Sequence, residues 1–375
     1  MTAVIRKKQL QQLFGAAVSA VSGRRAVTNA ITKDSAFSPS LIIAVGKAAV
    51  SMTLGALDEW PDCGALVVTK YDHVNDEFDA FPMVKVIESA HPVPDQNSLV
   101  AGALLMDTIE ALPADSNVLF LISGGASALA EVLPPDLSLE TLKEVTDQML
   151  ATGRTIRQLN TWRKEFSQIK GGKLIRRFPG EQIRVYAISD VEGDSIAVIG
   201  SGLGDANELP ERASSRIIAS NQIARQAVVS KAQQLGLKVM ENSETLYGDI
   251  FDLANRLGPI IVGASSGIYL FGGEPTVTLP ERPGRGGRNQ SLALALSAYV
   301  AGRKDVSVLV AGTDGTDGPT SAAGGLIDGT TWSENTASDA LGRADAGAYL
   351  EKHKGLFTTG PTNTNVMDLV IIIVD

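Results

Sequence analysis

The segment LIIAVGKAAVSMTLGAL, residues 41–57, decides the reading of the fold. Its first five residues, Leu41–Val45, form an aliphatic run too short for a helix and branched enough for a strand buried on both faces. Gly46 and Lys47 follow directly, and the pattern is helical from 47 to 57, so a strand passes through a glycine turn into a helix. The same alternation extends outward. Residues 65–69, 84–87, 118–122 and 183–188 predict further strands, with helices at 95–112, 139–150 and 156–170 between them. Near-continuous apolar strands alternating with helices predict a parallel sheet covered on both faces. A second group of apolar runs follows at 260–262, 268–271, 276–279, 306–311 and 369–374. Gly272-Gly273, followed at once by another short run, predicts a tight turn and hence a mixed sheet. A predicted helix over 213–235 and the polar stretch 241–245 set the expected boundary near 240, giving domains 1–240 and 241–375.

Composition narrows the function. The chain has 375 residues, 33 Lys and Arg against 42 Asp and Glu, and a net charge of −9. With a pI near 5.0 and no basic block, it is a poor candidate for nucleic-acid binding, which runs on phosphate neutralisation. One cysteine, Cys63, excludes an internal disulfide framework, and the three histidines (His73, His91 and His353) leave too few ligands for a structural zinc cluster. The longest aliphatic run is far shorter than a membrane span, and the N-terminus reads as an amphipathic helix, not a signal peptide. The expectation is a soluble cytoplasmic protein without membrane or nucleic-acid partners.

The 37 glycines, about a tenth of the chain, gain meaning from their placement. Four predicted strands run into glycine-rich or acidic turns. The first leads into Gly46-Lys47, and 118–122 into Ser123-Gly124-Gly125-Ala126-Ser127. Residues 183–188 lead into Ser189-Asp190-Val191-Glu192-Gly193-Asp194, and 306–311 into Gly312-Thr313-Asp314-Gly315-Thr316-Asp317-Gly318. Ligands of open α/β sheets sit at the carboxyl ends of strands, where glycine lets backbone N–H groups approach a phosphate. Tight-turn geometry alone explains any single loop; four together point to an anionic ligand and a divalent ion. Lys47 at a helix start is electrostatically out of place, and a bound anion would resolve the conflict. Asp314 and Asp317 are spaced as oxygen ligands for Mg²⁺, or as Asx turns bonding their own backbone. The stretch 283–290, PGRGGRNQ, offers Arg285 and Arg288 to a phosphate or carboxylate, or is a solvated loop.

Absent motifs discriminate as well. There is no G-x-x-x-x-G-K-[ST], and no G-x-G-x-x-G follows a strand. A G-x-S-x-G occurs at 263–267, but it is followed by a strand pattern where a nucleophile elbow needs a helix. His91 lies in the proline-rich turn HPVPD (91–95), where it can frame a pocket but has no catalytic partner in the sequence.

In order along the chain, VGKAA (45–49), HPVPD (91–95), SGGASAL (123–129), QLNTWRKEFSQIKGGKL (158–174), SDVEGDSIAVIGSG (189–202), GGEPTVTL (272–279), GRGGRNQ (284–290), GTDGTDGPTSAAGG (312–325) and TGPTNTNVMDL (359–369) resemble the glycerate 2-kinase family, whose C-terminal half is the MOFRL domain. The resemblance covers nearly the whole chain. It implies an α/β fold: a Rossmann-like three-layer N-terminal domain and a smaller α/β MOFRL domain. It also implies transfer of the γ-phosphoryl group of ATP, with Mg²⁺, to the 2-hydroxyl of D-glycerate. The chain departs from the family at Ala126, where a third glycine is usual, and at Leu203-Gly204, where SGPT is usual.

On this reading Lys47, Asp190 and Arg288 are the catalytic candidates. Lys47 and Arg288 match active-site positions of the resembling family and neutralise the phosphoryl group or the substrate carboxylate. Asp190 orients or deprotonates the acceptor hydroxyl. Ser123, Gly124, Gly125 and Ser127 cradle phosphates, and Asp314 and Asp317 hold Mg²⁺, or one of them competes with Asp190 for the acceptor hydroxyl. Arg157, Asn160 and Arg163, which share a helix face with Lys164, contact the substrate together with Asn289, unless that face is merely solvated. Partners are then ATP and D-glycerate, acting on a monomer or homodimer. The competing reading is a hydroxypyruvate reductase using NAD(P)H, for which no dinucleotide fingerprint is present; a third is a non-catalytic anion-binding protein.

Overall fold

The structure is a computed structural model describing residues 2–34, 36–74, 76–151, 156–207, 209 and 211–375. Two helices open the chain, α1 (Ala3–Val21) and α2 (Gly23–Ile31). Then come β1 (Leu41–Val45), α3 (Ala49–Leu57), β2 (Gly64–Lys70), β3 (Val84–Ser89), α4 (Gln96–Glu110) and β4 (Asn117–Ile122). Four helices follow, α5 (Ala126–Leu129), α6 (Leu139–Ala151), α7 (Ile156–Phe166) and α8 (Lys173–Arg176), before β5 (Gln182–Ile188) and β6 (Ala213–Ala219). The second half begins with α9 (Asn221–Gln234), β7 (Val239–Glu244), β8 (Gly248–Asp249), α10 (Ile250–Val262), β9 (Gly267–Gly273) and β10 (Pro275–Thr276). It ends with α11 (Arg288–Val300), β11 (Val306–Gly312), β12 (Gly324–Asp328), α12 (Glu334–Gly342), α13 (Ala346–Lys352), β13 (Leu356–Phe357) and β14 (Asp368–Val374).

Packing divides the chain into two units. The first comprises Val21–Ser220 and Asn363–Asn365; the second comprises the stretch ending at Ala20, Asn221–Thr362 and Val366–Asp375. By packing, the chain changes unit at 220, and the first helix goes with the C-terminal half. Specific residues show why. Buried Arg6 donates to Ser307 Oγ (3.2 Å) and the Lys304 carbonyl (2.5 Å) and pairs with Asp375, while Phe14 meets the Phe357 ring edge-on at 5.2 Å. Asn221, at the start of α9, donates to the carbonyls of Val366 (3.0 Å) and Asp368 (3.1 Å). The polar stretch expected as the boundary lies largely in β7, whose Asn242 and Glu244 receive Arg225.

The first unit is built on a six-stranded, wholly parallel sheet in the order β3-β2-β1-β4-β5-β6. This is the doubly wound order, whose direction of growth reverses between β1 and β4. Ile43, Val45, Phe120 and Ile122 pack with Leu105 and Ile109 of α4 on one face. Ile42 and Ala44 alternate to the other face and are equally buried, with α3 against β1 and β2. Burial on both faces is why these strands read as unbroken aliphatic runs.

The second unit holds a mixed sheet, β13-β12-β11-β14-β9-β7, antiparallel except for the β7–β9 pair. β11 and β14 are buried along their whole length. Three expectations differ from the structure. Residues 213–219 form the half-exposed β6, since Ser214, Ser215 and Arg216 break the apolar pattern of a buried strand, and the helix starts only at Asn221. Residues 260–262 end α10, in which Ile261 is buried while Ile260 and Val262 face solvent. Of 276–279 only Thr276 is in a strand, paired through Pro275–Thr276 with β8. Among the described residues no helix is long and apolar enough to cross a membrane.

Candidate active site

At the reversal between β1 and β4 the two glycine turns lock together. The Lys47 N–H donates to the Gly124 carbonyl (2.9 Å), and the Ser123 N–H donates to the Val45 carbonyl (3.1 Å). The Ser123 hydroxyl accepts the Ala48 N–H at 3.0 Å, so it braces the Lys47 turn. Gly46 has φ +137, and a Cβ there would lie 2.1 Å from Ser123 Oγ, so both backbone freedom and space require glycine. Helix α3 starts at Ala49, which leaves Lys47 just ahead of it on the turn.

Three groups converge on the second turn. A Cβ built on Gly124 would sit 1.7 Å from Asp190 Oδ2, so the carboxylate that ends β5 lies directly over this glycine. A Cβ on Gly125, which has φ +87, would lie 3.1 Å from both Lys47 Cγ and His91 Cδ2. Beyond it, Ser127 Oγ is 2.7 Å from Ser201 Oγ and accepts from Arg163 Nη1 at 3.4 Å, while Ser201 Oγ donates to Asn160 Oδ1 at 3.2 Å. Burial pulls the Arg163 guanidinium below its usual pKa, opposed by the Glu131 charge. Glu131 is paired with the fully buried Lys170.

The second unit carries a different arrangement at the start of α11. Arg288 donates through Nε to Asp368 Oδ2 and through Nη1 to Glu274 Oε1, each at 2.8 Å. Asn289 Nδ2 donates to Asp368 Oδ1 at 2.9 Å. Asp317 accepts the N–H groups of Asn289 (3.0 Å) and Gln290 (2.8 Å), one on each oxygen. Burial pushes Asp317 up to about 7, against those two donors. Burial likewise raises Asp368 to about 6, with Arg288 and Asn289 opposing. Burial alone would lower Arg288, but the Asp368 and Glu274 carboxylates outweigh it and raise its pKa.

The structure thus brings Lys47, Gly124, Gly125 and Asp190 together, and Ser127, Asn160 and Arg163 beside one another; Arg288 and Asn289 join a second cluster. The side chain of Arg157 lies outside the described ones. Asp314 and Asp317 each accept backbone N–H groups. Asp314 Oδ1 accepts the Thr316 N–H at 3.0 Å in an Asx turn, and both oxygens of Asp317 are committed to the backbone of α11. Among the described residues no group of three or more His, Cys, Asp or Glu side chains is placed to hold a metal. The departures at 126 and 203–204 are packing features. The Ala126 methyl is buried against Gly200, Leu203 is in the core, and Gly204 lies against Val185 and Ile122. His91, read from the sequence as able to frame a pocket but without a partner, lies beside Lys47 and Gly125, which come from distant turns.

A doubly wound sheet with cations and glycine turns at its switch point defines a class: α/β proteins that hold anionic ligands at strand ends. Comparison with known proteins makes this specific. A domain described as "Domain of unknown function (DUF4147)" matches residues 9–235, and the MOFRL family matches 267–368. The glycerate 2-kinase of Pyrococcus horikoshii is 34% identical, over 97% of this chain and 96% of that protein. The D-glycerate 2-kinase of Thermotoga maritima is 32% identical over 97% of each. The crystal structure of the Thermotoga maritima glycerate kinase superposes with a TM-score of 0.88 at 31% identity, covering 98% of this chain and 99% of that one. The chain belongs to the glycerate 2-kinase family, an enzyme family of the kinase class.

Proposed function

We propose that the protein transfers the γ-phosphoryl group of MgATP to the 2-hydroxyl of D-glycerate, giving 2-phosphoglycerate and ADP. The observation that carries this reading is the meeting of Lys47, the Gly124–Gly125 turn and Asp190 at the β1–β4 switch point. It is supported by relatives named for this reaction across nearly the whole chain. Phosphoryl transfer needs positioning and charge neutralisation more than covalent chemistry. Lys47 neutralises the phosphoryl oxygens. Asp190 orients the acceptor hydroxyl and takes its proton as the oxygen–phosphorus bond forms and the bond to the ADP oxygen breaks. The Gly124 and Gly125 backbone lies against the phosphate, Ser123 holds the turn that presents Lys47, and Ser127, Asn160 and Arg163 line the same end of the sheet. Arg288 and Asn289 form the second set of substrate contacts. Magnesium arrives with the nucleotide as part of the substrate, and the cytoplasm is the proposed location.

A relative in Agrobacterium vitis, 31% identical over 99% of this chain, carries a provisional hydroxypyruvate reductase name. A reductase needs a nicotinamide site, and the turn after β1 lacks the G-x-G-x-x-G that such sites use. One pair of assays separates the readings. ADP release with D-glycerate supports the kinase; NADH oxidation with hydroxypyruvate at an enzymatic rate replaces it.

A further inference from the structure

His91 and Lys70 have no role in the reading above, yet both belong to the carboxyl-terminal edge of the parallel sheet. Lys70 ends β2, the neighbour of β1, and pairs in register with Ser89, the last residue of β3. Two residues further on, His91 reaches the Gly125 turn. Its own turn is firmly built. Asp95 accepts from Tyr71 Oη (2.6 Å), the Ala90 N–H (3.3 Å) and the Ser98 N–H (3.0 Å), closing a capping box at the start of α4. The imidazole is therefore a held group at the glycine turn.

Three cations act on it: Lys47 from the turn after β1, Lys70 from the end of β2 and Arg163 from α7. His73, beyond β2, is itself pushed down by burial and adds little charge. Two nearby carboxylates are engaged elsewhere, Asp95 in its cap and Glu131 with Lys170, and Asp190 over Gly124 offsets one positive charge. Burial and these cations hold His91 down to about 3, so its ring is neutral under working conditions and offers one donor and one acceptor. Three cations directed at one neutral imidazole leave a positive potential that a single carboxylate charge does not match. A phosphoryl group carries roughly two charges at neutral pH.

We infer that His91 and Lys70 complete, with Lys47 and Arg163, a subsite for a doubly charged phosphoryl group at the Gly125 turn. The inference rests on the phosphoryl-transfer reading, in which this turn meets the phosphate, and adds two side chains, His91 and Lys70, to the group that receives it. Lys70 supplies charge, and His91 donates a hydrogen bond from an uncharged ring. A bound dianion offsets the three cations, so it must also make His91 easier to protonate.

The test uses the full chain with inorganic pyrophosphate and, separately, D-glycerate. With only three histidines, the His91 ring signals in a ¹⁵N-histidine-labelled sample are assigned by their loss in His91→Asn. Pyrophosphate is expected to shift those signals and raise the His91 protonation midpoint by a unit or more, while D-glycerate alone leaves the midpoint in place. Lys70→Met is expected to weaken pyrophosphate binding about tenfold with an unchanged unfolding midpoint, and Lys70→Arg to restore most of it. His91 signals that ignore pyrophosphate, or that respond equally to D-glycerate, would overturn the inference. So would full-strength pyrophosphate binding in Lys70→Met. ATP turnover with unresponsive His91 signals defeats the subsite alone. A pyrophosphate response without turnover of any hydroxy acid keeps the subsite and defeats the kinase reading.

Discussion

At the glycine turns of the first unit, Lys47, Lys70 and Arg163 act together on one imidazole, whereas at the start of α11 Arg288 is held between Asp368 and Glu274. The first region gathers positive charge around two glycine turns. The second is balanced within itself, and its arginine is also a structural element. A cation that answers to a substrate can be removed with the fold intact; a cation that answers to a buried carboxylate cannot.

The largest expected effect therefore falls on the second region. Arg288→Ala should abolish most of kcat and also lower stability by about 3 kcal/mol, because it leaves Asp368 buried with Asn289 but without its ion-pair partner. Denaturant unfolding measures the second effect, and unchanged stability would mean that the Asp368 pair does not support the fold. Lys47→Ala comes next. Its kcat should drop on the order of 10²–10³-fold, the loss typical of one electrostatic contact to a transition state, while its unfolding midpoint stays put. Near-full activity would remove Lys47 from the mechanism.

A smaller effect separates the regions by pH. Asp317 sits at about 7 in the folded protein, above the roughly 3.9 of an unfolded chain. The folded state thus holds this proton more tightly. The resulting stabilisation is fully present below about pH 4 and is lost as pH rises through about 7. Asp317→Asn has no such proton, so wild type should lose stability relative to the variant across that window. A flat difference would show that the Asn289 and Gln290 N–H groups keep the carboxylate ionised. The smallest change belongs to Asp314→Asn, since Asn can make the same Asx turn. Stability should move by less than about 0.5 kcal/mol, with Mg²⁺ dependence unaltered; a shifted Mg²⁺ dependence would return Asp314 to the metal.

The same contrast governs what the sequence revealed. Strands buried on both faces, such as β1 and β4, announced themselves as aliphatic runs, and their turns exposed Lys47 and Asp190 as candidates. β6 was hidden because its polar face matches no run, and the end of α10 was misread because three aliphatic residues in a row cannot show on which helix faces they lie. Spacing suggested Asp314 and Asp317 as ligands. Yet a carboxylate whose oxygens cap a helix about 28 residues away in sequence looks the same in one dimension as one free to bind a metal. His91 looked isolated for the complementary reason: its neighbours come together only when β1, β2 and β4 lie side by side. Local spacing conveyed turn chemistry, and long-range charge required the sheet.

The most direct test of the account is the product formed from D-glycerate and MgATP, identified by ³¹P NMR in wild type and Lys47→Ala. The account predicts 2-phosphoglycerate, one per ADP released, in the wild type and at most a trace in the variant. Formation of 3-phosphoglycerate, equal rates in the two proteins, or no ATP turnover with any hydroxy acid would contradict it.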